Sequence, residues 1–175
     1  MILKRINFAL IIVFFLFLNT KSYSNETSIY FVDIDKIIAQ SNIGKKIQKS
    51  LNKTIEKENE KFKKQEKALK KEEEDILKQK NIISKDELDK KINDFRTNLR
   101  KIRNEKNKFN LSINKKNIEK TNKMVNKINK ILTNYAAENS IALILQKKNI
   151  IIGKSELDIT DIILKKFNDQ VKSVD

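Results

Sequence analysis

The sequence predicts an α+β chain in which a small β body carries one long antiparallel coiled-coil hairpin, a helical tentacle. Two observations predict it. No proline interrupts the 175 residues, and a charge-rich stretch from about Lys36 to Glu138 keeps a helical spacing of apolar side chains. Two short β-branched segments, Ile29 to Ile34 and Ile141 to Gly153, flank that stretch and read as strands. Strands need partners, so the helix between them must run out and return. At a rise of ~1.5 Å per residue, arms of roughly 45 to 50 residues reach on the order of 70 Å from the body.

The elements follow in order. Lys4 and Arg5 precede eleven unbroken apolar residues, Phe8 to Leu18, and the small-residue triplet Ser22-Tyr23-Ser24. That order is the signature of a secretory signal peptide, expected over residues 1–24 with cleavage after Ser24. The apolar run falls short of the ~20 residues a membrane-spanning helix needs. Ile29-Tyr30-Phe31-Val32 forms the first strand. Asp35 or Ser41 is expected to cap a helix start, with a bend near Ser41 to Gly44 before the outgoing helix.

In the outgoing helix Ile55, Phe62, Leu69 and Ile76 recur every seven residues, with Leu51 four before the first and polar Glu58, Gln65 and Glu72 between them. This is half of a coiled-coil seam. The returning helix supplies Leu88, Ile92, Phe95, Leu99 and Ile102, then Phe109 and Ile113 after Lys106; Lys116 and Lys120 interrupt the register before a second phase, Val125, Ile128, Leu132 and Tyr135. Such a break is expected to act as a bending point. The turn falls at Asn81 to Asp86, where Ser84 and Glu87 make an S-x-x-E cap for the returning helix.

Ile141 to Leu145 is apolar on both faces and too short for a helix, Gln146 to Asn149 turns the chain, and Ile150 to Ile152 completes a hairpin ended by Gly153. Asp158 or Thr160 caps a last short helix whose Ile162, Ile163 and Phe167 cover one sheet face. One helix cannot cover two faces. Self-association through Ile29, Phe31, Val32, Ile141, Leu143, Ile144, Leu145, Ile150 and Ile152 is therefore expected, a cyclic trimer closing the sheets into a barrel-like body. The body comprises residues 25–44 and 135–175, and the arm residues 45–134.

Composition narrows the function. With no Cys and no His, disulfides, thiolate chemistry and the commonest metal ligands and general bases are absent, so no catalytic residue, metal or cofactor is expected. The only two glycines, Gly44 and Gly153, cannot make a nucleotide-binding loop. Lys and Arg number 38 against 23 Asp and Glu, +15 overall, and removing Lys4, Arg5 and Lys21 with the leader leaves 35 against 23, or +12. A surface this basic attracts anionic partners at long range, an anionic lipid or membrane surface among them. Abundant Lys, Asn and Ile give the same charge by coding bias alone. Nucleic acid is not expected, because an exported chain without a basic-aromatic recognition motif has no means of reading it.

Several landmarks stand in a recurrent order: Phe31-Val32-Asp33, then Ser41-Asn42-Ile43-Gly44-Lys45-Lys46, then Tyr135-Ala136-Ala137-Glu138-Asn139 leading into the apolar strand, and Leu157-Asp158-Ile159-Thr160-Asp161-Ile162-Ile163-Leu164. In these the chain resembles the Skp (OmpH) family of periplasmic chaperones of outer-membrane proteins, and departs from it at Gln146, a place often acidic in relatives. The resemblance implies a homotrimer whose helical tentacles enclose unfolded outer-membrane proteins in the periplasm without ATP. Phe62, Leu69, Phe95, Leu99 and Phe109 are the apolar arm residues an unfolded client could touch. The alternative is a structural coiled-coil envelope protein or a periplasmic adaptor, although adaptors carry larger β domains beside their hairpins.

Overall fold

In the computed structural model, residues 28–174 are described; the expected leader, residues 1–24, lies outside them. Strand β1 (Ile29–Val32) leads into a short helix α1 (Ile34–Gln40), and the outgoing helix α2 (Asn42–Gln79) follows directly. Helix α3 (Lys85–Glu138) returns to strand β2 (Leu143–Gln146), and helix α4 (Thr160–Gln170) comes near the end of the described chain. The two strands pair in parallel, with Ile29 opposite Leu143 and Val32 opposite Gln146.

The body is more helical than the sequence predicts. Its core is Val32, Ile37, Ile43, Met124, Ile128, Ile131, Ile159, Ile163, Phe167, Val171 and Val174, drawn from every helix as well as from β1. The sheet has two strands of four residues each, and Ile150 to Ile152 form no hairpin with β2. After β2 a 3-10 turn, Lys147–Asn149, closes with Ile150 N–H donating to the Lys147 carbonyl at 3.0 Å. The reason is the path of the chain after β2. The second edge of β1 is occupied by Asp158 and Ile159, whose amide donates to the Phe31 carbonyl at 3.0 Å. The 3-10 turn and the Lys147–Asp158 ion pair carry Ile150 to Gly153 over Phe31 and away from the outer edge of β2, which has no strand partner among the described residues; β propensity alone does not make a strand.

The helix starts show where backbone donors need partners. Asp33, not Asp35, caps α1 by accepting from the Lys36 amide at 2.8 Å, and Ser41 caps α2 by accepting from the Gly44 amide at 3.1 Å. Because Asp35 already lies within the first turn, its side chain stands past the orphan amides. At α4 the N-cap residue is Ile159, which has no side-chain acceptor; Asp158 accepts from the Thr160 amide at 2.9 Å, whereas Thr160 is not a cap, its hydroxyl accepting from the Asp33 amide at 2.8 Å. Ile163 and Phe167 of α4 are fully buried, but Ile162 is largely exposed and covers no sheet face. The expected Ser84 cap on α3 is present, accepting from Glu87 N–H at 3.3 Å.

The arm is unequal. The 38 residues of α2 span about 57 Å, whereas the 54 residues of α3 span about 80 Å and continue into the body, where Met124, Ile128 and Ile131 join the core. The outgoing arm is therefore shorter than the 45 to 50 residues expected, because the break at Ser41 removes its first turns. Helix α3 runs unbroken through Lys116 and Lys120. Lys120 finds a use there: its ammonium donates to the Val174 carbonyl at 2.9 Å and ties the C-terminal segment to the root of the arm.

Candidate binding surfaces

Because strand side chains alternate between faces, the parallel register sorts the sheet into two unlike sides. Tyr30, Val32 and Ile144 pack toward the core. Ile29, Phe31, Leu143 and Leu145 point the other way. Phe31 is 7% exposed, sheltered by the segment after β2: the Lys147 ammonium lies 5.8 Å from its ring centroid, and Gly153 sits so close that a Cβ there would stand 2.8 Å from its Cε1. Ile29, Leu143 and Leu145 are uncovered, and beside them Ile151 and Ile152 are 99% and 90% exposed.

The residues expected to join copies of the chain thus divide. Val32 is 2% exposed and belongs to this chain's own core, as does half-buried Ile144 at its margin, and Phe31 is closed over locally. Ile141 and Ile150 are half-buried. Ile29, Leu143, Leu145 and Ile152 remain open, and Ile151, absent from the expected set, is the most exposed apolar residue among those described. It escaped notice because a strand at Ile150 to Ile152 would have turned it away from its neighbours. A cleft of about 360 Å³ lies between the strand edge and α3, lined by Ile144, Gln146, Asn129 and Leu132 among others.

A short ionic network fixes the loop over Phe31. Lys147 donates to Asp158 at 2.6 Å, and both the amide and the hydroxyl of Thr160 donate to the same carboxylate. Burial would raise the Asp158 pKa, but the bonds from Lys147 and Thr160 outweigh it and hold the carboxyl below its usual range. The bond to Asp158 raises Lys147 in turn. A depressed acid contributes stability above its unfolded pKa of ~3.9 and loses it as pH falls through the folded value. Asp158→Asn should cost about 1 kcal/mol at neutral pH, a central value for a hydrogen bond, and should flatten the acid limb of the unfolding curve below pH ~4. Thermal melts at pH 7 and pH 3 measure both effects.

In the arm, Phe62 and Leu69 are 2% and 8% exposed, closed against α3 with the Phe62 and Phe109 rings edge to face at 6.0 Å. Phe95, Leu99 and Phe109 are half-buried in the same seam. Those five residues hold the hairpin together, and the buried two offer nothing to a client while it stays closed. Polar side chains bridge the hairpin: Gln65 donates to Glu105 at 3.3 Å, Lys106 to Glu66 at 3.0 Å and Lys91 to Gln79 at 2.9 Å, while the Gln65 Oε1 is left buried without a protein partner. The arm's open apolar residues lie elsewhere, Leu77 and Ile82 near the tip and Leu111 and Ile118 on α3.

Among the described residues no cluster of His, Cys, Asp or Glu could hold a metal ion, and no helix is long and apolar enough to cross a membrane. The family described as Outer membrane protein (OmpH-like) matches residues 28–167, all of the arm and most of the body. The chain belongs to the OmpH-like family. Its fold is also that of a solved OmpH-like protein from Caulobacter crescentus, described as a candidate outer membrane chaperone. That structure superposes with a TM-score of 0.76 over 85% of this chain and 88% of the other, at 14% identity. No curated protein matches the chain. In this OmpH-like chain, therefore, the landmarks read from sequence at both ends frame a body and hairpin of the family's kind.

Proposed function

We propose that the chain is a periplasmic holdase: a homotrimer that binds unfolded outer-membrane β-barrel proteins between its arms, without ATP, and keeps them soluble on the way to the outer membrane. One observation carries the reading. A single chain leaves Ile151 and Ile152 in water, and Ile29, Leu143 and Leu145 partly so, at the foot of a long basic hairpin; burying a fully exposed side chain of this kind against another copy is worth ~1.5–3 kcal/mol, and a half-exposed one roughly half as much. Uncovered apolar surface at the root assembles the arms around a common axis; polar, separately folded arms then enclose space instead of filling it. Membership of a family whose solved relative is described as an outer membrane chaperone supports the same role.

The experiment measures the mass of the mature protein by sedimentation, alone and with an unfolded β-barrel protein, together with suppression of the client's aggregation. The expected result is a trimer that takes up one client chain and prevents light scattering. Leu143→Asp with Leu145→Asp should give monomers, because two unpaired carboxylates cannot be buried without large cost. A wild-type monomer at micromolar concentration, or a trimer that leaves aggregation untouched, would count against the proposal; the latter outcome would favour a structural envelope protein.

A further inference from the structure

The outer side of α3 carries a pattern that neither the seam nor the body uses. Leu111, Ile118 and Val125 recur every seven residues, and Asn107, Asn114 and Asn122 stand three or four residues away from them along the same side. The seam residues Phe109 and Ile113 are two positions from Leu111, about 200° around a helix of 3.6 residues per turn, so the pattern faces away from α2. Leu111 and Ile118 are 69% and 59% exposed and all three asparagines are exposed, while Val125, where the strip reaches the body, is half-buried. In a chain with 35% charged residues this strip alternates amide and aliphatic side chains, with Lys108 and Lys115 along one border at the same three- and four-residue spacings.

We propose that this strip is the track along which the arm holds an extended polypeptide, with asparagine amides bonded to its backbone and Leu111 and Ile118 against its side chains. The inference rests on the holdase reading and deepens it by naming the face and the mode of binding. A side-chain amide offers both a donor and an acceptor, so it pairs with any unpaired backbone group of either polarity. An unfolded chain has such groups at every residue. Another helix does not, since its backbone bonds are satisfied internally, and covering these amides with one would desolvate them without return. The eighteen helical steps from Asn107 to Val125 span about 27 Å, room for about eight extended residues at ~3.3 Å each.

Charge agrees with that occupant. Beyond residue 5 the chain's only arginines are Arg96, Arg100 and Arg103, which share a side at steps of four and three, with Arg100 seven residues before Asn107 in line with the strip. Coding bias favours lysine everywhere else. Arginine's planar fork holds carboxylates in two parallel bonds, which lysine cannot do. The fitting partner is therefore an unfolded polypeptide with aliphatic and carboxylate side chains.

The test uses the full mature protein and two fluorescent 20-residue probes: a disordered peptide rich in Val, Thr and Glu, and the same peptide N-methylated at alternate residues. Leu111→Ser with Ile118→Ser should weaken binding of the plain peptide about tenfold or more without changing thermal stability or assembly mass. Asn114→Ala with Asn122→Ala should weaken the plain peptide several-fold and the N-methylated one less, because half of its backbone donors are already gone while its carbonyls remain. Wild-type affinity in both double variants, with client protection retained, would overturn the track alone. A fall in assembly mass in the Leu111 and Ile118 variant would overturn it too, since a second copy would then cover the strip. Failure of the wild-type protein both to bind the peptide and to protect a β-barrel client would instead remove the holdase reading and the track with it.

Discussion

Gly44→Ala should destabilise the body by about 3 kcal/mol or more, a cost in the upper range for overpacking, and lower Tm by about 6–12 °C. A Cβ on Gly44 would stand 1.7 Å from the Ile38 carbonyl oxygen and 2.9 Å from its carbon. Nothing flexible can give way there. Ser41 bends the chain so tightly that its hydroxyl donates to the Ile38 carbonyl at 3.3 Å and accepts from the Gly44 amide, which brings the end of α1 onto the first turn of α2. Relief requires opening that corner, and with it the packing of Ile37 and Ile43 in the core. Gly153→Ala is the control: its obstacle is the rim of the Phe31 ring, a side chain that can turn, so the loss should be smaller. Differential scanning calorimetry of the two variants compares them directly, and equal melting temperatures for Gly44→Ala and wild type would contradict the close approach.

Much of this architecture was legible in the sequence because it rests on local periodicity. The seven-residue steps from Ile55 to Ile76 sit in the hairpin seam, and Ser84 caps where an S-x-x-E pattern says it should. The elements that escaped are those decided by partners distant in sequence. Ile150 to Ile152 has strand composition, but the ion pair of Lys147 with Asp158 draws it over Phe31 and away from the edge of β2; the choice of Asp33 over Asp35 depends on where the chain leaves β1. Phe62 and Leu69 were legible as seam residues, while their use as client contacts required an exposure that α3 removes. The strip on α3 stayed invisible for another reason. A reading that follows apolar residues alone passes over asparagines, and half of the strip is asparagine.

Removing the distal arm should separate assembly from protection. Deleting Lys70 to Leu99 cuts both helices near one level, since Glu72 lies opposite Asn98 across the hairpin, and a Gly-Asn turn can rejoin Leu69 to Arg100. The body keeps its core and its uncovered sheet face, as none of their residues lies in the deleted segment. Sedimentation should still report the full oligomer. Suppression of β-barrel aggregation should fall to the level of buffer alone, because the remaining stubs of about 42 Å, 28 residues from Asn42 to Leu69, no longer surround a client. Should the truncated protein protect as well as the whole, the enclosure would be dispensable, and the strip on α3 that the deletion leaves in place, or the body surface, would hold the client unaided.

The parallel pairing of β1 with β2 carries a consequence for how the chain acquires its structure. Asp33 meets Thr160 across 127 residues, and Ile29 finds Leu143 only after the whole hairpin lies between them. A strand that emerges first must therefore wait for one of the last segments made. Closing so long a loop from a flexible chain is entropically costly, though the cost grows only logarithmically with length. The hairpin shortens the wait. Its own contacts, such as Gln79 with Lys91 twelve residues apart, are near in sequence and form on the timescale of local events. Once α2 and α3 have zipped from the tip downward, the two strands arrive side by side with most of the loop already ordered. The tentacle is then a folding template for the body before it is an instrument for anything else.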